Sequence, residues 1–402
     1  MHVFVSDIHM ADNPAGDPVA DAELVSFANE LGRLSESGPI TLVLLGDIID
    51  FLRSPKWDHL WSAQKSAPWS AMAADFANFP RGPAEACVLT VVRDARARYA
   101  QFSATLRQLV EAERLKVLYV PGNHDFMLQV SAPLRREVQQ FLSLSDDPEK
   151  PFPTVYADRT ASVYATHGHT FDPVNYHRGP EGCWAFGDAI VLRVVNRFQA
   201  AACEALGCGP DTVLGRQLAD IDNVEPLSDI PIYVRWLSEQ LSVANQQKRI
   251  LKVWKDVVDE LLELPEFRDS TYSGPEIVAT RTCLKLSTEI GLAELVLRYR
   301  DLLPNFERDY SQYAERIAGT QPYRFVVFGH THDPELVPLR TMVGGQPAYY
   351  VNTGSWRRIV SRARGSVGPF VGARVSGRFL VHDKSAAVPT GRYQLHREWH
   401  TV

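Results

Sequence analysis

Short apolar, β-branched runs that end abruptly in polar residues punctuate the chain: VFVS ahead of Asp7, TLVLLG ahead of Asp47, KVLYVPG ahead of Asn123, SVYAT ahead of His167 and FVVFG ahead of His330. Continuous runs of this kind predict strands buried on both faces. AYYVN ahead of Thr353 has the same shape, and FLVH near residue 380 predicts an added edge strand. Between the early runs the spacing becomes helical, as over residues 22–34, where Leu24, Phe27, Leu31 and Leu34 share a face, and over residues 93–113. Strand alternating with helix predicts an α/β sheet with helices outside it.

From residue 171 to 320 the pattern is almost wholly helical, with expected helices over 187–206, 230–264 and 275–316, interrupted at Pro210, Pro226, Pro231, Pro265 and Pro304. The expected organisation is a core of residues 1–170 and 321–402 carrying a helical insertion, 171–320. A smaller insertion, 53–82, holds Trp57, Trp61 and Trp69. The helix over 187–206 sets Ala189, Ile190, Val194 and Phe198 on one face. That face reads as packed core or as a lid over an apolar substrate, and Arg193 and Arg197 leave a peripheral contact with an anionic membrane surface open. The tail after Lys384 is expected to be partly loose.

Composition narrows the partners. Hydrophobic residues make up 45% and charged residues 22% of 402, as in ordinary globular proteins, and the formal charge of -6 supplies no basic field for a nucleic acid backbone, so no nucleic acid partner is expected. The start MHVFVSD predicts no signal peptide, and no run of about 18 apolar residues predicts a transmembrane segment, so a cytoplasmic location is the default. Five cysteines without CxxC spacing fit buried thiols in a reducing compartment; Cys203 and Cys208 lack further soft ligands for a metal.

The strand ends carry the candidate chemistry. They present Asp7-Ile8-His9, Gly46-Asp47, Gly122-Asn123-His124-Asp125, Thr166-His167-Gly168-His169 and Gly329-His330-Thr331-His332. Carboxyl ends of neighbouring strands meet over one crevice, so distant positions can build one site. In an extended segment the two side chains of Asp-x-His or His-x-His point to the same side. Carboxylate, amide and imidazole without cysteine suit Mn, Fe, Co or Zn better than Ca or Mg. Asp50 and Asp125 read as helix caps. Trp356, Arg357 and Arg358, just past the last core strand, read as a phosphate-holding group or a solvated surface, and His177 and Arg178 invite the same question.

In this order DIH, GDIID, GNHD, THGH and GHTH resemble the five signature blocks of the calcineurin-like metallophosphoesterases. The resemblance implies a four-layer αββα sandwich, here with a large helical insertion. It implies one metal held by Asp7, His9, Asp47 and His332 and a second held by Asp47, Asn123, His167 and His330, with Asp47 bridging and His169 able to exchange with His167 if the turn is shifted. The cofactor is then a pair of divalent metal ions, Mn first, with Fe, Zn or Co as alternatives. Such a pair, about 3.5 to 4 Å apart, turns a bridging water into the attacking hydroxide. The resemblance also implies that His124 binds no metal and serves as general acid toward the leaving oxygen. The stretch GNHDFML, the HGHT turn and GHTHDPEL are similar to those of UDP-2,3-diacylglucosamine pyrophosphatases, which usually have Arg where this chain has His124. The implied activity is a metal-dependent phosphoesterase acting on a small-molecule phosphomonoester, phosphodiester or diphosphate, nucleotide- or lipid-linked. The alternative from another class is a non-catalytic scaffold of the same fold that binds protein.

Overall fold

In the computed structural model, the residues described are 1–57, 60, 82–176, 185–225, 229–263, 274–288, 309–362, 369–382 and 390–401. Among them the strands form two sheets, making a mixed α/β fold. In the first, β1 (His2–Val5), β2 (Ile40–Leu45) and β3 (Leu115–Val120) run parallel, as their apolar runs predict. The second contains β4 (Tyr156–Asp158), β5 (Val163–Ala165), β6 (Phe325–Phe328), β7 (Glu335–Val343) and β8 (Gln346–Asn352), in the order β4-β5-β6-β8-β7, with β5, β6 and β8 parallel. The chain then returns to the first sheet as β9 (Gly354–Arg362) and β10 (Phe370–His382).

FLVH, expected at an edge, is the end of β10, which pairs antiparallel with β1 on one side and with β11 (Thr390–Thr401) on the other. The expected loose tail is thus largely β11, whose backbone pairs antiparallel with the preceding strand from His382↔Thr390 to Val371↔Thr401.

Period-two alternation explains why the parallel strands are apolar throughout. Val3, Val5, Leu42, Leu44 and Val117 face one apolar cluster, and Phe4, Val43, Leu45 and Val120 face another. The second cluster also holds Val163, Ala165, Phe325 and Val327 from the other sheet and Phe379 from β10, and the Phe325 and Phe379 rings meet edge-on at 5.3 Å. The sheets therefore share an interior.

Helices cover the outer side of the first sheet: α1 (Asp21–Leu34), α2 (Pro83–Arg98), α3 (Ala100–Glu111) and α4 (Ala132–Leu142). The expected helix over 93–113 is two helices, because Tyr99 leaves helical geometry (φ -105°, ψ 37°) and its hydroxyl donates to the Val19 carbonyl at 3.0 Å. The predicted helix over 187–206 forms as α5 (Phe186–Ile190) and α6 (Asn196–Leu206) joined by a π turn, Val191–Val195. After α7 (Val213–Ala219), the stretch over 230–264 splits into α8 (Ile230–Gln240) and α9 (Ala244–Leu262), and α10 (Pro275–Ser287) follows. Phe186, Ala189, Phe198, Tyr233, Trp254 and Val258 join the same apolar cluster as Val3 and Leu42, so this helical segment packs continuously with the sheet. Helix α11 (Ser311–Thr320) lies on β6, β7 and β8, its Ala314 and Ala318 buried with Val326 and Phe328.

Trp61, Trp69, His177, Arg178, Pro226, Pro265 and Pro304 lie outside the described residues. No described helix is long and apolar enough to cross a membrane. Cys87, Cys203 and Cys208 are free thiols, and burial pushes both Cys87 and Cys203 up to about 12.

Truncating Phe4, which lies fully buried between the sheets, is expected to lower stability by about 3–5 kcal/mol, read as a fall in the urea midpoint of Phe4→Ala with an unchanged slope.

Candidate metal centre

Five parallel strands end on one side of the molecule, and each delivers its polar block there: β1 gives Asp7 and His9, β2 Asp47, β3 Asn123 and His124, β5 His167, and β6 His330 and His332. The backbone does not reach this arrangement by strand alternation. Asp7, His9, Asp47, His330 and His332 have φ values of 51°, 51°, 53°, 72° and 59°, so the expected extended Asp-x-His and His-x-His segments are left-handed turns instead. Left-handed backbone costs a residue with a Cβ on the order of 1–2 kcal/mol. Tertiary hydrogen bonds hold it: the backbone N–H groups of Asp7, His9 and Met10 donate to the carbonyls of Gly46, Asp47 and Ile48 at 3.0, 2.9 and 2.9 Å. Two glycines are required by close approach, since a Cβ on Gly122 would strike the Asp47 carboxylate and one on Gly329 would strike Ser6 and the Asp7 carboxylate.

Two donor clusters that share Asp7 result, Asp7 with His9 and His332, and Asp7 with Asp47 and His167, beside a third, His9 with Asp50 and His124; within each the ligand atoms lie within 4.8 Å of one another. Asp7 is common to both, whereas Asp47, expected to bridge, belongs to the second. In the first, the His9 and His332 Nε2 atoms are 3.2 Å apart and lie 3.9 and 3.3 Å from Asp7 Oδ1. Their other nitrogens are occupied, His9 Nδ1 by Asp50 Oδ2 at 2.9 Å and His332 Nδ1 by Glu225. In the second, His167 Nδ1 faces the Leu45 carbonyl at 2.9 Å, which leaves Nε2 toward Asn123 Oδ1 at 3.2 Å and Asp47 Oδ2 at 3.3 Å. With each Nδ1 turned to an acceptor, the Nε2 atoms and carboxylate oxygens converge on one another, and the buried Asp7 Oδ1 meets the imidazoles of His9 and His332. That donor set fits divalent cations. His330 lies beside His167, ring centres 5.3 Å apart, and Asp172 Oδ2 holds its Nε2 at 3.1 Å, leaving Nδ1 for a ligand.

The charges tell the same story. Burial alone would raise the carboxyl of Asp7, but the charges of His167 and His332 and a hydrogen bond from His332 hold it below the usual range. Asp47 is held well below it, against burial, by the charges of His167 and His124. Burial would lower the imidazoles; Asp47 and Asp7 instead raise His167 to about 9, and Glu225 and Asp7 raise His332 to about 10. His9 goes the other way, to about 4, because its burial outweighs Asp50.

Asp50 and Asp125 do more than the caps they were expected to be. Asp50 Oδ1 does accept from the Leu52 and Arg53 N–H groups, at 3.1 and 3.0 Å, but the same carboxylate binds both His9 and His124, the latter at 3.1 Å. Asp125 caps nothing with its side chain: it accepts from Tyr119 OH, Gly122 N and Ile48 N at 2.5, 2.6 and 3.1 Å, locking the loop that carries Asn123. Burial and the charge of Asp47 push Asp125 up to about 7. Nor are the residues after the last core strand a solvated surface. Trp356 packs on Phe27, Arg357 binds Asp222 and Asn223, and Arg358 binds Asp220. His169 lies in the following turn, 5.4 Å ring to ring from His167, and His167 is the one that joins the cluster. Sequence reasoning missed Asp172 and Glu225, which carry no motif; only their contacts with imidazoles mark them.

No known protein family matches the sequence, and no curated protein matches it. Among solved structures, a dimetal phosphatase from Danio rerio is similar at a TM-score of 0.27 and 12% identity, over 100% of this chain and 98% of that one. A likeness this slight bears on neither fold nor function.

Because His167 and His332 hold protons at pH 8 while metal-binding imidazoles must be neutral, loading with Mn or Zn at that pH is expected to release up to about two protons. Affinity should rise with pH until their values near 9 and 10 are passed. Titration calorimetry in buffers of different ionisation enthalpy measures the release.

Proposed function

We propose that the protein is a phosphoesterase dependent on two divalent metal ions, built on a four-layer αββα sandwich. The observation that carries this reading is the convergence of Asp7, His9 and His332, and of Asp7, Asp47 and His167, into two clusters that share Asp7, with Asn123 against His167. Asp7, His9 and His332 would hold one cation, and Asp47, Asn123, His167 and His330 the other, with Asp47 reaching both. Mn is the first choice, with Fe, Zn or Co as alternatives. When bound, such a pair acidifies water and polarises a phosphoryl group for in-line attack.

The chain's own residues supply the rest. Asp47 Oδ1 accepts from the His124 backbone N–H at 2.9 Å, fixing that loop, and Asp50 holds His124 Nδ1, leaving Nε2 to protonate a leaving oxygen. Burial would lower His124, but the charges of Asp50 and Asp47 raise it, favouring the protonated ring that a general acid needs. One carboxylate, Asp50, thereby orients both a metal ligand and the acid.

The substrate class is a phosphate ester of a small molecule. The narrower reading, a lipid- or nucleotide-linked diphosphate, rests on GNHDFML, HGHT and GHTHDPEL. Metal analysis separates enzyme from scaffold: close to two equivalents of metal with Mn-stimulated hydrolysis of nitrophenyl phosphate supports the enzyme, and inert protein that takes up no metal supports the scaffold.

His124→Ala is expected to keep both metals and lose about 10²–10⁴-fold in kcat, most for poor leaving groups. In the wild type kcat/KM should fall as pH rises through the elevated His124 value, and this limb should vanish in the variant; an unchanged profile removes His124 from the reaction.

A further inference from the structure

We infer that the helical segment between β5 and β6 completes the first metal site, with Glu225 as a positioning residue for His332. The inference rests on the dinuclear reading above. Glu225 lies outside all five blocks, yet its carboxylate meets His332 Nδ1, the nitrogen opposite the one that faces His9 and Asp7. A carboxylate on the outer nitrogen fixes the tautomer, aims Nε2 inward and makes it a stronger donor. Asp50 performs the same task for His9 and Asp172 for His330. Of these three carboxylates, Glu225 is the one that arrives beyond helix α7.

Its placement is not a chance surface contact. The turn Asp220–Asn223 that precedes it is stitched to the core by the arginines of β9: Arg358 to Asp220 at 3.1 Å, Arg357 to Asp222 at 3.2 Å and to Asn223 Oδ1 at 2.8 Å. Arg53, three residues after Asp50, also pairs with Asp222, and Asn223 Nδ2 donates to the Gly16 carbonyl at 2.8 Å. Val224 then forms a β-bridge with Val360, and the Glu225 N–H donates to the Val360 carbonyl at 2.9 Å. Backbone on one side and buried ion pairs on the other thus set the Glu225 carboxylate against one imidazole. A lid that merely closed over substrate would need none of these bonds to a ligand. The helical segment therefore belongs to the metal centre itself.

The test uses the full chain, stripped of metal and titrated with Co and with Mn. Glu225→Gln is expected to weaken one of two equivalents by about 10–100-fold and leave the other unchanged. The visible Co spectrum of the affected site should change. Glu225→Asp, which keeps the charge, should recover part of the affinity. Two equivalents bound by Glu225→Gln as tightly as by the wild type, with the same Co spectrum, overturn the inference and leave the dinuclear reading standing. If Glu225→Gln lowers the thermal midpoint of the metal-free protein, an equal loss at both sites in Glu225→Asp overturns it as well. A wild type that takes up no metal overturns the dinuclear reading, and this inference with it.

Discussion

Carboxylates and imidazoles are gathered at one end of two sheets, out of water, with their lone pairs facing each other, and everything else in the structure accommodates that concentration of negative charge. An isolated carboxylate taken out of water costs several kcal/mol even after the protein relaxes, so Asp7, Asp47 and Asp50 cannot lie fully buried together without positive charge among them. His167 and His332 answer as protonated partners, and divalent cations would answer more strongly. The same imbalance explains why the imidazoles move in opposite directions: His332 lies between two carboxylates, whereas burial governs His9.

Geometry at this density is not available to relaxed backbone. Left-handed residues at both ends of the Asp-x-His and His-x-His turns aim paired side chains inward, and the chain tolerates them because the loops after β1 and β2 continue to hydrogen-bond past the end of the strands. Rigid support comes from beneath, where apolar side chains of both sheets interdigitate around Phe4, Phe325 and Phe379. Strain collects at the site, and the common interior resists its release.

The helices between β5 and β6 share the apolar cluster of the first sheet, and their acidic turn meets the arginines of β9 in a ladder of buried pairs. A buried pair contributes little to stability beyond an apolar contact of the same size, but losing one partner leaves an uncompensated charge, so such ladders fix one register rather than strengthen the fold. Here the register that is fixed sets a carboxylate on His332.

The parallel strands and most helices were legible in the amino-acid sequence, because apolar runs and helical spacing are local signals that burial reads directly. The order and identity of the polar blocks were legible too, since each follows its own strand. What local pattern could not carry was decided in three dimensions. β10 pairs with β1 from the far end of the chain and β5 with β6 across the helical segment; Tyr99 breaks a helix to reach Val19; Asp125 abandons a cap for three partners brought together by folding. Asp172 and Glu225 have no pattern around them at all. Their roles exist only because the chain returns them to the imidazoles of His330 and His332, contacts spanning 158 and 107 positions, and no property of a sequence window encodes a contact across that distance.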